Sequence, residues 1–292
     1  MSGYDYLGNP APQGKKILIA AVLDCGTDAN RFVAMKQILD IGAKLLRYPD
    51  VEIAASEFTF TKGAVALMPQ QPSMYRKKPL EVLWSKNADS KGGMASTAKV
   101  MNLVTGLDFN LNLEEHVTID ATDIRTGSGN VFRAGDILTL RELMLAMMLP
   151  SSNTGAAAFA RIVGEKMLQE ITPGEYTDTE CRTEYVARMN AKASKQLGIV
   201  DPTFDSPVGG GATITANEML RLCVEALTYP EICKVWNQKT YTIPVKGPNA
   251  RNVSLQTTVT DASIEAEYTI LGGKTGSLDS AKALVMAAEV EV

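Results

Sequence analysis

Gly92-Gly93-Met94-Ala95-Ser96-Thr97-Ala98-Lys99-Val100-Met101 is the stretch on which the reading of this chain turns. The glycine pair breaks the chain, and a helical pattern begins at Ser96. On a helix, residues three apart share a face, so Lys99 can reach Ser96. A helix starting near Ser96 also favours negative charge developing at its N-terminal end. A free serine hydroxyl is a poor nucleophile and needs a neighbouring base. A lysine is a base only when neutral, and both burial and a second cation nearby lower its pKa toward that state. Taken alone, a Ser and a Lys at this spacing also describe an ordinary solvated helix start.

Two later motifs give the first one weight. Ser151-Ser152-Asn153 follows Pro150 in the break between two strongly helical stretches. There a hydroxyl and an amide project from a fixed turn. Ser128-Gly129-Asn130 has the same pattern but lies in a Gly-rich loop that reads as a plain turn. Ser151 on its own also reads as a helix N-cap. Lys274-Thr275-Gly276, after Gly272-Gly273, has strand character. A Lys and a Thr there suit a carboxylate, and a glycine lets a ligand backbone approach closely. The plainer reading is a surface strand that ends in a turn. The order Ser-x-x-Lys, Ser-x-Asn, Lys-Thr-Gly is the signature of penicillin-binding proteins and class A β-lactamases. The chain has one histidine, His116, beside Glu114 and Glu115. A Ser-His-Asp triad would have to use it, whereas a lysine base fits a chain so poor in histidine.

Working outward, Ser96 to about Tyr229 is mainly helical. Leu138–Leu149 is strongly apolar and ends at Pro150. Thr154–Leu168 is Ala-rich and helix-prone. Glu184–Leu197 follows with Gly198 as C-cap, then the amphipathic Thr215–Leu227. From Lys239 the pattern turns to strands at 240–245, 253–259, 268–272 and 281–290. Before the first motif, Lys16–Leu23 reads as a strand, and Asp28 caps a helix with Phe32, Met35, Ile38, Leu39, Leu45 and Leu46 on its apolar face. Pro49 stops that helix. Val51–Met68 reads as one or two strands and Glu81–Trp84 as another. Residues 1–14 read as a loop or linker. One sheet built from both chain ends, with an inserted helical lobe, accommodates this order.

The sequence resembles the D-alanyl-D-alanine carboxypeptidases, the low-molecular-mass penicillin-binding proteins. The likeness runs through Leu83-Trp84-Ser85-Lys86-Asn87-Ala88-Asp89 and Ala95–Met101. It continues in Gly135–Thr139, Leu149–Asn153, Tyr185–Asn190 with Leu197-Gly198, and Gly273–Gly276. It implies an α/β (α+β) penicillin-binding-protein or β-lactamase-like fold, an antiparallel sheet flanked by helices. The whole chain, 1–292, would be a single transpeptidase-like domain. Its sheet part would be residues 15–93 and 239–292, and its helical lobe 94–238. By resemblance, Ser96 attacks the peptide carbonyl between two D-alanines, Lys99 takes its proton, and Ser151 relays a proton to the leaving amine. Asn153 and Lys274 position groups, and Thr275 binds the terminal carboxylate. The N–H groups of Ser96 and Ser277 form an oxyanion hole, with Gly276 between. Water releases the acyl-enzyme, and penicillin forms a slow ester on Ser96. No metal or cofactor is expected. The partners implied are peptidoglycan peptides ending in D-Ala-D-Ala and β-lactam antibiotics, and the site of action is extracytoplasmic.

The chain departs from the family twice. The family usually has a His-Gly-Leu-like stretch where this chain has Ser206-Pro207-Val208-Gly209. The family also continues beyond Lys-Thr-Gly with one more strand and a terminal helix than this chain has after Gly276. Lys16–Leu23 and Phe32–Leu46 look like that pair, placed at the start. A circular permutation is therefore expected, with residues 1–15 as the former connection from Val290 to Lys16. It requires strand 16–23 to pair beside strand 281–290.

Composition bounds the rest. A 292-residue chain with 45% apolar and 21% charged residues is ordinarily globular. A net charge of −4 with no basic stripe argues against nucleic acid as the main partner. No apolar run approaches the ~18 residues of a membrane span. Lys15-Lys16, Ile17–Leu23 and Cys25 imitate a short lipoprotein signal, but the core is short and Asp24 stands where a small residue belongs. A buried strand is preferred, and no signal peptide is visible. Cys25, Cys181, Cys223 and Cys233 fit no metal spacing and read as buried thiols, with a Cys223–Cys233 pair left open. Two rival functions remain. A β-lactamase would need a deacylating glutamate, and Glu165–Gln169 is only faintly similar to that segment. A non-catalytic sensor or scaffold is disfavoured by three intact motifs.

Overall fold

The structure is a computed structural model that describes residues 14–54, 58–69, 80–279 and 281–292. Its centre is β1 (Lys15–Leu23). Leu18 to Leu23 are all fully buried. Such a run lacks polar alternation because both faces of the strand are covered. Leu18, Ala20 and Val22 face one apolar cluster, while Ile19, Ala21 and Leu23 face the larger one. β1 pairs antiparallel with β2 (Lys62–Leu67) on one side and with β11 (Ala281–Glu291) on the other. With β3 (Val82–Lys86) and β10 (Thr269–Leu278), the sheet order is β10-β11-β1-β2-β3. The pairing expected of strands 16–23 and 281–290 is present, with Ala20 opposite Met286. Beyond the paired strands, Val292 N–H donates to the Gly14 carbonyl at 2.7 Å.

α1 (Asp28–Arg47) covers the smaller cluster with Met35, Ile38 and Leu39. Its N-cap is Thr27, one residue before the expected Asp28; the Thr27 side chain accepts from Asn30 N–H. Leu45, placed on the apolar face from the sequence, is only half-buried and lies outside that cluster. Within Val51–Met68 only β2 is a described strand. Phe58 and Phe60 instead pack their rings on Trp84, with centroids 5.0 and 6.0 Å away. Of the predicted 1–14 loop, all but Gly14 lies outside the described residues.

The other sheet face carries the helices: α2 (Lys99–Gly106), α3 (Leu140–Met148), α4 (Asn153–Ile171), α5 (Asp178–Lys195), α6 (Ala216–Leu227) and α7 (Pro230–Trp236). Three of them start on capping boxes, Thr139/Glu142, Thr177/Glu180 and Thr215/Glu218. β8 (Thr240–Val245) and β9 (Arg251–Gln256) do not join the large sheet, contrary to the expected 239–292 subdomain. They pair with each other and bury Ile243, Val245, Val253 and Leu255 in the larger cluster. The four cysteines are buried and free, so Cys223 and Cys233 are not bridged. Burial pushes the Cys233 thiol up to about 11. Among the described residues no helix is long and apolar enough to cross a membrane.

Candidate active site

The glycine pair forms β4 (Gly92–Gly93), which pairs with β7 (Thr213–Ile214). It is a short strand, not a break. Ala95 then adopts φ +46°, a left-handed conformation that a side chain disfavours. Ser96 sits in a 3-10 turn, Ala95–Ala98, and α2 begins only at Lys99. The helix therefore starts three residues later than expected. The turn still serves the motif, because residues three apart eclipse in 3-10 geometry. Lys99 Nζ lies 2.7 Å from Ser96 Oγ.

Lys99 is fully buried. Burial lowers its pKa to about 7. Its ammonium also reaches Asn153 Oδ1 at 2.8 Å and Ser151 Oγ at 3.5 Å. Ser151 has φ +65° directly after Pro150. It is not the cap of the next helix, because Ser152 takes that role by accepting from Gly155 N–H. Asn153 is held from the loop that contains Ser128. Its Nδ2 donates to Thr126 O at 3.0 Å, and its N–H donates to Ser128 O at 3.0 Å. The rival Ser-x-Asn segment is thus the seat of Asn153 rather than a plain turn.

β10 supplies the remaining groups. Lys274 is fully buried, and its Nζ donates to Ser151 Oγ at 2.8 Å and to Thr275 O at 2.8 Å. Burial, then the charges of Lys99 and Arg31, hold its pKa well below the usual lysine range. Of the two causes that could lower the pKa of Lys99, burial and a second cation, burial is the one that acts there. Thr275 Oγ1 is 2.6 Å from Thr258 Oγ1. Gly276 is not a gap for a ligand backbone. A Cβ there would lie 2.4 Å from Met94 O, so the glycine lets β10 press against the chain leading to Ser96.

Ser96, Lys99, Asn153, Ser151 and Lys274 therefore form one continuous hydrogen-bonded chain, and Thr275, Gly276 and Ser277 extend it along β10. The sequence reading missed Arg31. Its Nη1 donates to Ser277 Oγ at 2.6 Å and to Gly276 O at 3.2 Å, and Asp28 Oδ1 accepts from Ser277 Oγ at 2.8 Å. Arg31 is 7% exposed, and its Nε has no hydrogen-bond partner among the described residues. The divergent Ser206–Gly209 stretch lies against the nucleophile turn. Gly209 has φ +90° and backs onto Ala98 and the Ala95 carbonyl, while Asn102 Nδ2 donates to Pro207 O at 2.9 Å. Glu165 lies on α4 and lines a surface groove with Glu115, Arg161, Lys166 and Glu170, none of them a member of this chain of contacts.

Residues 77–291 match the family described as D-alanyl-D-alanine carboxypeptidase. The chain belongs to this family. The D-alanyl-D-alanine carboxypeptidase of Streptomyces sp. strain K15 is 29% identical over 217 residues, 70% of this chain and 71% of that protein. The D-alanyl-D-alanine endopeptidases of Pseudomonas aeruginosa and Escherichia coli are 28% and 25% identical over 58% of this chain. The chain spans about half the length of these two relatives, 51% and 54%. The fold is shared with the crystal structure of the Streptomyces K15 DD-transpeptidase, at a TM-score of 0.60 and 23% identity over 73% of this chain and 86% of that one. The D-alanyl-D-alanine carboxypeptidase match begins at residue 77, so β1, α1 and β2 precede it. Yet β1 is the central strand, and α1 carries Arg31.

Proposed function

We propose that this chain is a serine D-Ala-D-Ala carboxypeptidase that cleaves peptidoglycan stem peptides through an acyl-enzyme and is acylated by penicillins. The observation that carries the reading is Lys99: a buried amine with a pKa near 7, 2.7 Å from Ser96 Oγ. Neutral Lys99 takes the Ser96 proton as Oγ attacks the carbonyl between the two D-alanines. The Ser96 and Ser277 N–H groups receive the oxyanion. Ser151 passes the proton to the departing D-alanine amine, and the C–N bond breaks to leave an ester on Ser96. Asn153 and Lys274 hold Ser151 and Lys99 in place. Thr275 takes the terminal carboxylate, and the Arg31 guanidinium, held at Ser277 and Gly276, adds a cation for it. Water then attacks the ester and restores Ser96. A substrate in peptidoglycan places the enzyme outside the cytoplasmic membrane.

Intact-protein mass spectrometry after incubation with benzylpenicillin tests this reading. One penicilloyl adduct is expected, absent in Ser96→Ala. No adduct on the wild-type chain would overturn it.

The order of strands has its own reading, a circular permutation in which β1 and α1 stand for the family's closing strand and helix. The β1–β11 pairing and the Val292–Gly14 hydrogen bond support it. A reordered chain that joins residue 292 to residue 14 and opens between residues 54 and 58 is expected to fold and to be acylated. An insoluble product would count against it.

A further inference from the structure

The glycine pair before Ser96 pairs with β7 on one side and is held by an ion pair as well. Lys62 Nζ donates to the Lys91 carbonyl at 2.7 Å, and Asp24 Oδ1 accepts from Gly93 N–H at 3.3 Å. The two side chains meet at 2.6 Å. Ammonium and carboxylate thus grip the peptide groups on either side of Gly92. A Cβ at Gly92 would lie 2.9 Å from Asp24 Oδ2 and 2.9 Å from Leu23 Cβ, so only glycine fits the grip. Asp24 pays for its place with φ +54°, just past the end of β1. Such strain persists only where the surroundings over-determine it. Lys62 opens β2.

What is gripped leads directly to Ser96. From Gly93 the chain passes Met94, whose N–H donates to Ala212 O at 2.9 Å. The Met94 carbonyl abuts Gly276 of β10. Then comes Ala95 at φ +46°, then Ser96. Four anchors fix this short segment: the ion pair, the β7 strand, the Ala212 carbonyl and β10. The ion pair is the one anchor that comes from residues before the family match.

We propose that Asp24 and Lys62 are positioning residues, which set Ser96 against Lys99 and the β10 strand without touching the substrate. The proposal rests on Ser96 being the nucleophile. Loss of the ion pair lets the Lys91–Ala95 segment shift, and a displacement of about 1 Å at a reacting group costs on the order of a hundredfold in rate.

The test measures single-turnover acylation by a fluorescent penicillin, using the full chain and its Asp24→Ala, Lys62→Met and Lys62→Arg variants. Asp24→Ala and Lys62→Met are expected to lower the saturating acylation rate about ten- to a hundredfold, while half-saturating penicillin moves by less than about threefold. Lys62→Arg, which keeps a cationic donor, recovers most of the rate. The pH midpoint of acylation stays put, because the surroundings of Lys99 are unchanged. Gly164→Ala, remote from Ser96, serves as the destabilised control and keeps the wild-type rate in its folded fraction. Folded Asp24→Ala and Lys62→Met acylating at the wild-type rate would overturn the proposal. If Asp24→Ala does not fold, Lys62→Met against Lys62→Arg decides it. A wild-type chain that forms no adduct would refute the proposed function itself, a separate outcome.

Discussion

Lys99 shows how a common side chain becomes a base. Nothing in Ser96-Thr97-Ala98-Lys99 states that the ammonium will be buried; the packing of α2 and the lobe decides that. With a pKa lowered to about 7, the neutral amine predominates above that pH and the charged form below it. The rate of penicillin acylation should therefore rise as pH passes through about 7 and then level off, in stopped-flow measurements from pH 5 to 9. A flat profile over that range would remove Lys99 as the base. Lys99→Met should lower the acylation rate by roughly 10²–10⁴. Arg31 makes the complementary case. Nothing around Asn30-Arg31-Phe32 distinguishes it from the solvated first turn of an amphipathic helix. Its place beside Ser277 depends on β1 lying next to β11, a contact about as non-local as the chain allows. A charge-assisted hydrogen bond contributes ~1.5–3 kcal/mol, so Arg31→Ala should raise KM for a D-Ala-D-Ala peptide about ten- to a hundredfold. Steady-state kinetics in which kcat falls while KM stays fixed would contradict a carboxylate-binding role.

At the scale of elements, what the sequence could state was local. β1 was legible from its apolar run, and α6 from Thr215 and the amphipathic pattern after it. α5 was read from Glu184, yet it begins at Asp178. Its first turn is polar, so the apolar period is silent there and only the Thr177-x-x-Glu180 box marks the start. The close contact of α4 with α5 was not legible either. A Cβ on Gly164 would lie 2.0 Å from the Cys181 carbonyl oxygen. Gly164→Ala must push the helices apart, and a cost of ~1–3 kcal/mol is expected in denaturant unfolding. Near the same helices Asp123 is fully buried and accepts from Arg161 Nε at 2.9 Å and Nη2 at 2.7 Å, with Arg182 at 3.6 Å. Asp123→Ala leaves two guanidinium groups without their carboxylate. A loss of ~3–5 kcal/mol follows from breaking a buried pair, readable in the same unfolding curves. A loss below about 1 kcal/mol would mean that the pair behaves like an exposed one.

At the scale of the molecule, both chain ends contribute to one sheet, as the order of apolar runs suggested. The β8–β9 hairpin was misplaced because strand propensity says nothing about which partner a strand takes. Deleting residues 1–47 removes β1 and α1, and with them the central strand, Asp24 and Arg31. The remainder should be recovered as insoluble protein that binds no fluorescent penicillin. Soluble, acylating protein would show that the family-matched part is self-sufficient.

The position of β1 also sets a schedule for biosynthesis. A ribosome makes Val22 long before its cross-strand neighbour Leu284. At roughly 5–20 residues per second, the wait is on the order of 15–50 seconds. For that time one of the most apolar strands in the protein has an open edge, the kind of surface on which nascent chains aggregate. A chaperone that holds Ile17–Leu23 until β11 has been made should therefore raise the yield of folded protein. Limited supply of such a factor should show first as aggregation of newly made chains, while molecules already folded keep their activity.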